Sequence, residues 1–150
     1  MGKGQSCRKA VKSDLSAILR LYAQPEMDNG KTLSLSRAEE VFERIQGYPN
    51  YHLFVALDKD KIVGTFALLI MDNLGHQGAP SAIIEDVVVD PAYQGQGIGK
   101  RMMQYAFEIA KEEGCYKAVL SSDQKRKKAH HFYESLGFER HGYSFRLSLT

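Results

Sequence analysis

The chain has 150 residues, a formal net charge of +2 and apolar residues at 43% of its positions. This length predicts a single domain with one sizeable core, and the nearly balanced charge argues against a nucleic-acid partner held by bulk electrostatics. The two cysteines, Cys7 and Cys115, have no metal-ligand or C-x-x-C spacing, so we expect reduced thiols and no metal site. Neither a secretory segment nor a membrane-length apolar run is found, which predicts a cytoplasmic protein with no membrane partner.

The first third of the sequence predicts one strand and two helices. A short strand covers residues 7–11, and residues 13–14 cap a helix that has one apolar face. The polar stretch 26–32 is predicted to be a loop. Ser34 or Ser36 then caps a second amphipathic helix.

The next segment predicts a β-hairpin that leads into a central strand. Residues 51–57 and 61–71 are β-rich, and the polar residues 58–60 between them favour an antiparallel turn. Gly64, inside the second run, marks either a bulge or a close approach of another part of the backbone. The loop 72–81 then precedes the central strand.

The centre of the sequence is a strand followed by a glycine-rich turn and a helix. The unbroken β-branched run 87–89 is typical of a strand buried on both faces, and Pro91 ends it. Alternating glycines occupy residues 95–99. Apolar residues then recur at the helical period over residues 102–110, so the three elements follow one another directly.

The last third of the sequence predicts a strand over residues 117–122 and a helix over residues 123–136 with a basic first half. Gly137 is the predicted C-cap of that helix. Two closing strands are predicted over residues 138–149, around Gly142.

A strand, a glycine turn and a helix in this order predict an anion site. The first helical turn offers N–H groups without intrahelical partners and the positive end of the helix dipole, and glycines let a phosphate approach closely. Lys100 and Arg101 add positive charges at the rim. The spacing excludes a P-loop, which needs Ser or Thr directly after Lys100. It also excludes the dinucleotide fingerprint, which needs a third glycine at the position that Lys100 occupies.

Two motifs resemble the signatures of the GNAT superfamily of acetyl-coenzyme A-dependent N-acetyltransferases. Residues 94–99 read Q-x-x-G-x-G after a V-x-P strand end, and residues 129–138 read A-x-x-F-Y-x-x-x-G-F. The resemblance implies one GNAT domain over residues 1–150. Its fold would be α/β, with a mixed, mostly antiparallel twisted sheet of about six or seven strands, splayed central strands and about four flanking helices.

The resemblance also implies roles for particular residues. Tyr133 would protonate the leaving thiolate, because a phenol with a pKa of about 10 stays protonated at neutral pH. A main-chain N–H of the central strand would polarise the thioester carbonyl. The implied coenzyme-binding residues are Val87, Val88, Val89, Gln94, Gly95, Gln96, Gly97, Ile98, Gly99, Lys100, Arg101, Arg126, His130 and Tyr133.

The base that deprotonates the amine is left open by the sequence. Glu85 is favoured over its neighbour Asp86, because side chains alternate along a strand and Glu85 shares the parity of Val87 and Val89. His130 and His131 are rival bases with suitable ordinary pKa values. Deprotonation by water alone is a further alternative.

The resemblance implies transfer of an acetyl group from acetyl-coenzyme A to the primary amine of a small molecule, by direct attack in a ternary complex. Alternatives are a protein, peptide or antibiotic acceptor, or a domain that senses the coenzyme without turnover. Arg126 replaces an asparagine common in the family, and residues 121–145 resemble aminoalkylphosphonate N-acetyltransferases. Arg126, Lys127 or Lys128 would bind a phosphorus oxyanion of the acceptor or the 3′-phosphate of the coenzyme, or they form a solvated helix face. A homodimer is allowed by analogy.

Overall fold

The computed structural model describes residues 4–150, which divide into two compact units, the residues up to Val119 and Leu120–Thr150. The strands are β1 (Gln5–Lys9), β2 (Tyr51–Asp58), β3 (Lys61–Met71), β4 (Ser81–Val89) and β5 (Lys117–Leu120). The helices are α1 (Leu15–Tyr22), α2 (Pro25–Asp28), α3 (Leu35–Gln46), α4 (Ile98–Glu112) and α5 (Lys127–Ser135).

The strands form one mixed sheet in the order β1-β2-β3-β4-β5. The pairs β1/β2, β2/β3 and β3/β4 are antiparallel, whereas β4 and β5 are connected through α4, the kind of crossover that joins parallel neighbours. The predicted hairpin, the central strand and the helix that follows the glycines are therefore confirmed. The mixed, mostly antiparallel sheet is confirmed as well, but the predicted count of six or seven strands is wrong for residues 4–150, whose sheet has five strands.

Helices cover both faces of β2, which explains why the side chains on both faces of this strand are mostly apolar. The Phe54 ring lies 5.7 Å from the Tyr105 ring of α4. Its neighbour Val55 belongs instead to a buried cluster with Ile18 of α1 and Phe42 of α3. The first unit is thus a layered sandwich in which α4 packs on one face of the sheet and α1 and α3 pack on the other.

Gly64 fulfils both predictions made for it. Ala56 pairs with Gly64 but Leu57 pairs with Ile62, so β3 carries one extra residue beside the glycine. A Cβ on Gly64 would lie 2.6 Å from the Met102 Sδ atom and 3.3 Å from a backbone oxygen of β4. The glycine therefore lets α4 approach the sheet closely.

We expect Gly64→Ala to destabilise the protein by about 1–3 kcal/mol, because the added Cβ would force the fully buried Met102 side chain to shift and would crowd a backbone oxygen of β4. Urea unfolding followed by circular dichroism measures this change. The control is Gly75→Ala, where an added Cβ would meet no described atom within 4 Å and φ is −64°. Equal stabilities of the two variants would contradict the close approach.

Asp14 fixes the entry to α1. Its carboxylate accepts hydrogen bonds from Arg8 Nη1 at 2.6 Å and from the Val11 N–H at 2.8 Å. The Arg8 hydrogen bond, helped by the Val11 N–H and the Arg8 charge, holds the pKa of Asp14 below its usual value although burial opposes this. The ion pair thereby anchors α1 to β1.

Asp14→Asn is expected to cost about 1–3 kcal/mol at pH 7, because a buried charged acceptor is lost. Since the folded pKa of Asp14 is lowered, its stabilisation is present above the unfolded pKa of about 4 and disappears as pH falls through the folded pKa. Urea unfolding at pH 7 and at pH 3 should show a smaller difference in stability between the wild type and Asp14→Asn at pH 3 than at pH 7. The exposed control Asp72→Asn should change stability by less than about 0.5 kcal/mol at either pH.

Several predicted boundaries in the first unit need correction. The first strand is Gln5–Lys9 rather than residues 7–11, because the chain turns at Val11 to meet Asp14. The predicted loop 26–32 begins within a short helix, α2, since Pro25 occupies the first helical position, where its missing N–H is harmless. Ser34 is confirmed as the cap of α3, and its hydroxyl accepts a bond from the Arg37 N–H at 3.3 Å.

The second unit differs most from expectation. The predicted helix 123–136 begins only at Lys127, because Asp123 accepts hydrogen bonds from the Lys125 and Arg126 N–H groups and holds a turn that competes with the helix. The two predicted closing strands are wrong for the described structure, where residues 138–150 form no strand. Their alternating apolar side chains favour an extended backbone, but a strand also needs a partner edge.

Candidate active site

The turn between β4 and α4 presents backbone N–H groups at a helix N-terminus. Gly95 and Gly97 both have left-handed backbones, with φ of +79° and +82°, and a Cβ on either would meet no described atom within 4 Å. Gly97 is the N-cap of α4 and has no side chain to cap the helix. The N–H groups of Ile98, Gly99 and Lys100 follow in the first turn, where a helix supplies no acceptors. This turn offers the donors, the dipole and the space that an anion requires.

The glutamine side chains of the turn are bonded to nearby backbone. Gln94 Nε2 donates to the Val89 carbonyl at 3.4 Å, and Gln96 Nε2 donates to the Ala92 carbonyl at 3.4 Å. Gln24 reaches the same Val89 oxygen at 3.0 Å. Both glutamines of the motif therefore hold the shape of the turn, and Gln24 ties the N-terminus of α2 to the end of β4.

The two cations predicted for the rim differ in their surroundings. Lys100 is exposed. Arg101 has buried Nε and Nη1 atoms with no hydrogen-bond partner among the described residues. Burial raises the pKa of the Cys7 thiol to about 11, and the Arg101 charge opposes that rise. Arg101 thus lies close enough to β1 to act on Cys7, and Lys100 is the rim cation that solvent reaches.

β4 contains a bulge at Asp86. Ala67 of β3 pairs with Glu85 whereas Thr65 pairs with Val88, so β4 has one residue more than β3 in this stretch. The φ of Asp86 is +52°, a left-handed conformation that Asp adopts more readily than most residues. The regular alternation on which the choice of Glu85 was based does not hold here, because a bulge shifts the side-chain parity.

Two adjacent carboxylates are exposed at this bulge, Glu85 and Asp86. The prediction that only one of them faces the cleft is therefore not supported by strand parity. Burial raises the pKa of Tyr51, and the charges of Asp86 and Glu85 raise it further. Burial and the Asp86 charge likewise raise the pKa of Glu85. A carboxylate with a raised pKa is a stronger base near neutral pH.

A cavity of about 420 Å³ lies beside this bulge, between α1, α3 and the sheet. We call it the α1/α3 cavity. Apolar side chains from both helices and from β2 form most of its wall, and its polar groups include Thr32, Tyr51 and Asp86. Asp86 is the one charged side chain among the described residues that line it. The volume falls in the range of about 300–1,000 Å³ that is usual for small-molecule sites.

Tyr133 is held by the way in which α5 ends. The Phe138 N–H donates to the Tyr133 carbonyl at 3.2 Å and the Gly137 N–H donates to the Glu134 carbonyl at 3.0 Å. With Gly137 at φ +97° this is a Schellman ending, in which the residue after the glycine contacts the last helical turn. The Phe138 and Tyr133 rings meet edge-on at 5.7 Å. Gly137 and Phe138 of the second motif thus hold the Tyr133 side chain in position.

The Tyr133 hydroxyl is protonated at neutral pH. Its side chain is buried, and burial raises its pKa while the charge of Arg126 opposes the rise. The net pKa therefore lies above the ordinary tyrosine value. A phenol in that state can donate a proton or a hydrogen bond but cannot act as a base.

His130 and Arg126 lie in the same unit as Tyr133. His130 Nε2 is 2.8 Å from the Asp123 carbonyl, which can only accept, so Nε2 carries the proton in this contact. Its buried Nδ1 atom has no partner among the described residues. Arg126 is the N-cap residue of α5, and it is exposed, as are Lys127 and Lys128.

Within residues 4–150, no group of three or more His, Cys, Asp or Glu side chains is arranged to hold a metal ion. Among the same residues, no helix has both the length and the apolar character of a membrane span. Cys7 and Cys115 are both free thiols.

Comparison with known proteins identifies the family. Residues 15–138 match the Acetyltransferase (GNAT) family. The chain belongs to that family. A solved structure from Agrobacterium tumefaciens str. C58 is 34% identical to this GNAT chain and superposes with a TM-score of 0.89, covering 95% of this chain and 99% of that one. Members of the GNAT family use acetyl-coenzyme A as co-substrate.

Two curated relatives of this GNAT chain have named activities. A glucosamine 6-phosphate N-acetyltransferase of Trypanosoma brucei brucei is 43% identical over 89 residues, which are 59% of this chain and 58% of that protein. An aminoalkylphosphonate N-acetyltransferase of Salmonella typhimurium is 33% identical over 101 residues, 67% of this chain and 65% of that protein. The matched stretches thus span less than two thirds of either relative.

The family resemblance implies that the two N-terminal helices form one wall of an acceptor cleft, but the sequence of this GNAT chain does not by itself predict the α1/α3 cavity. The amphipathic pattern of α1 and α3 predicts two apolar faces, but it does not predict that they stand apart and leave a space. Tyr51 and Gln24 were also missed, because a single tyrosine at a strand start and a single glutamine before a proline carry no local signal. The one available signal for Asp86 was its position beside Glu85 on the central strand.

Proposed function

We propose that this protein is an N-acetyltransferase that transfers the acetyl group of acetyl-coenzyme A to the primary amine of a small molecule, by direct attack in a ternary complex. Family membership supports the acetyl donor. The named activities of the two curated relatives support an amine acceptor. The observation that carries the proposal is the open first turn of α4, together with the two left-handed glycines in the turn between β4 and α4.

In this proposal the N–H groups of the turn bind the diphosphate of the coenzyme and Lys100 adds a counter-charge. Convergent backbone donors at a helix N-terminus suit an oxyanion of this kind, and the open space over Gly95 and Gly97 admits it. The main chain of residues 87–89 would pair with the pantetheine arm. Arg126, the N-cap residue of α5, and His130 within α5 remain predicted coenzyme-binding residues.

The chemistry needs a neutral amine, a polarised carbonyl and a proton for the thiolate. The amine nitrogen attacks the thioester carbon, the C–S bond breaks, and the sulfur receives the proton of the Tyr133 hydroxyl. The second proton, which the nitrogen loses as it becomes an amide, returns to the Tyr133 oxygen. Glu85 or Asp86 accepts the proton that the ammonium group must lose. The raised pKa of Glu85 suits that task, because it moves the carboxyl toward neutral pH.

We further propose that residues 1–150 act as one acetyltransferase domain, without a metal. The single family match over residues 15–138, which extends through both compact units, supports this. A cytoplasmic location and a homodimer remain predictions.

Steady-state release of free thiol from acetyl-coenzyme A, with a panel of primary amines, tests the proposed activity. Amine-dependent release at a rate well above hydrolysis supports acetyl transfer. Binding of acetyl-coenzyme A in calorimetry, with no amine-dependent release for any member of the panel, would instead identify a domain that senses the coenzyme without turnover.

A further inference from the structure

The α1/α3 cavity has an apolar wall that the proposed reaction does not require. Leu19 of α1, Val41 and Ile45 of α3 and Leu53 of β2 line it, all partly exposed, and Leu33 contributes an apolar side chain from the loop before α3. Solvated apolar side chains around a concave space favour a ligand that removes them from water. An apolar ligand body would gain about fourfold in affinity for each methylene group that it buries.

The described lining residues of the cavity include a single charged side chain. Asp86 is the charged side chain among the described lining residues, and no Lys, Arg or His is found among them. The bulge at Asp86 is what turns this carboxylate out of the strand's regular alternation. A non-glycine residue in a left-handed conformation within a strand is the kind of local strain that clusters at functional sites.

We propose that the acceptor is a primary amine with an apolar, uncharged body, which occupies the α1/α3 cavity while its ammonium group lies against the Asp86 carboxylate. The inference rests on the proposed acetyl transfer, and it narrows the substrate class. A phosphate or phosphonate group on the acceptor would enter a cavity with no cationic side chain among its described lining residues, where the charged lining side chain is a carboxylate.

This substrate class differs from the ones named for the two curated relatives, glucosamine 6-phosphate and aminoalkylphosphonates. Family membership does not decide between the classes, because fold and donor chemistry are shared while the acceptor site varies. The side chains of the cavity wall are what distinguish the proposed substrate class from the other two. Most of its apolar side chains come from α1, α3 and β2, the elements that meet in the buried core of the first unit.

The test compares kcat/KM for four amines in the thiol-release assay, at saturating acetyl-coenzyme A. These are 2-phenylethylamine, with an apolar body; glucosamine, with a polar uncharged body; and the anionic amines glucosamine 6-phosphate and 2-aminoethylphosphonate. We expect 2-phenylethylamine to exceed each of the other three by about tenfold or more.

A matched pair of variants locates the apolar body. Leu33 and Leu35 are 48% and 44% exposed, so a lysine at either position should leave the fold intact, yet only Leu33 is among the residues that line the cavity. Leu33→Lys places a cation at the site and should lower kcat/KM for 2-phenylethylamine about tenfold. Leu35→Lys should change it less than about twofold.

Asp86→Asn tests the contact with the ammonium group. Asparagine also tolerates a left-handed backbone, so the bulge should persist and circular dichroism should be unchanged. We expect kcat/KM for 2-phenylethylamine to fall about ten- to a hundredfold, because a charge-assisted contact is lost, while the Kd for acetyl-coenzyme A is unchanged.

The outcomes separate the two proposals. Turnover of an anionic or sugar amine in preference to 2-phenylethylamine would overturn the apolar acceptor and leave acetyl transfer intact. Equal effects of Leu33→Lys and Leu35→Lys, or full activity of Asp86→Asn, would overturn the assignment of the acceptor to this cavity. Thiol release with none of the four amines or any wider panel would instead remove the proposed activity itself.

Discussion

Gly97→Glu is expected to abolish measurable binding of acetyl-coenzyme A. Gly97 has a φ of +82°, which a side chain adopts at a cost of about 1–2 kcal/mol, and the new carboxylate would stand at the N-cap of α4, where the diphosphate is proposed to bind. One pair of unit charges about 4 Å apart near a protein surface repels by about 4 kcal/mol. Calorimetry should therefore report an affinity at least about a thousandfold lower.

The control for this variant is Gly114→Glu. Gly114 has a nearly equal φ of +77°, and a Cβ there would likewise meet no described atom within 4 Å, but it follows the C-terminal end of α4. The same strain and the same charge are thus introduced away from the turn. Gly114→Glu should bind the coenzyme like the wild type. If both variants lost binding equally, backbone strain rather than the anion site would be responsible.

Tyr133→Phe is expected to lower kcat by about 10²- to 10⁴-fold, the usual contribution of a positioned proton donor, with little change in the Kd for acetyl-coenzyme A. The ring would remain in place, because its edge-on contact with Phe138 and the Schellman ending do not involve the hydroxyl. Single-turnover kinetics under saturating coenzyme and amine measure the chemical step directly.

Tyr143→Phe is the matched control, since it removes the same hydroxyl from a side chain that is 93% exposed. It should leave kcat unchanged. Because the pKa of Tyr133 is raised, its protonated form persists above the ordinary tyrosine value, and wild-type turnover should show no loss from this group below about pH 10. A Tyr133→Phe variant with normal kcat would assign thiolate protonation to another donor or to water.

The candidate coenzyme site could be predicted from the sequence because its signals are local. A β-branched run, a proline stop and alternating glycines fix a strand, a turn and a helix in one short stretch, and the structure has these elements as β4, the turn and α4. The signals of the second motif, residues 129–138, are local as well. Tyr133, Gly137 and Phe138 lie within one helix ending, and their spacing encodes the Schellman contacts.

The acceptor side could not be predicted in the same way, because it depends on contacts between distant segments. The bulge at Asp86 follows from how β4 pairs with β3, and the alternation rule fails wherever a residue is inserted. The α1/α3 cavity needs α1, α3 and β2 in place together. The closing strands were wrongly predicted over residues 138–149 for a related reason, since alternation reports a preference for extended backbone and says nothing about a partner.

Amide-resolved NMR of the wild-type protein, titrated with coenzyme A, tests the central claim most directly. The account predicts that the largest changes in backbone N–H chemical shifts fall on residues 95–101. These residues form the glycine turn before α4 and the first turn of α4, where the diphosphate should be bound. Binding that leaves these amides unchanged while shifting others, or no binding at all, would contradict it.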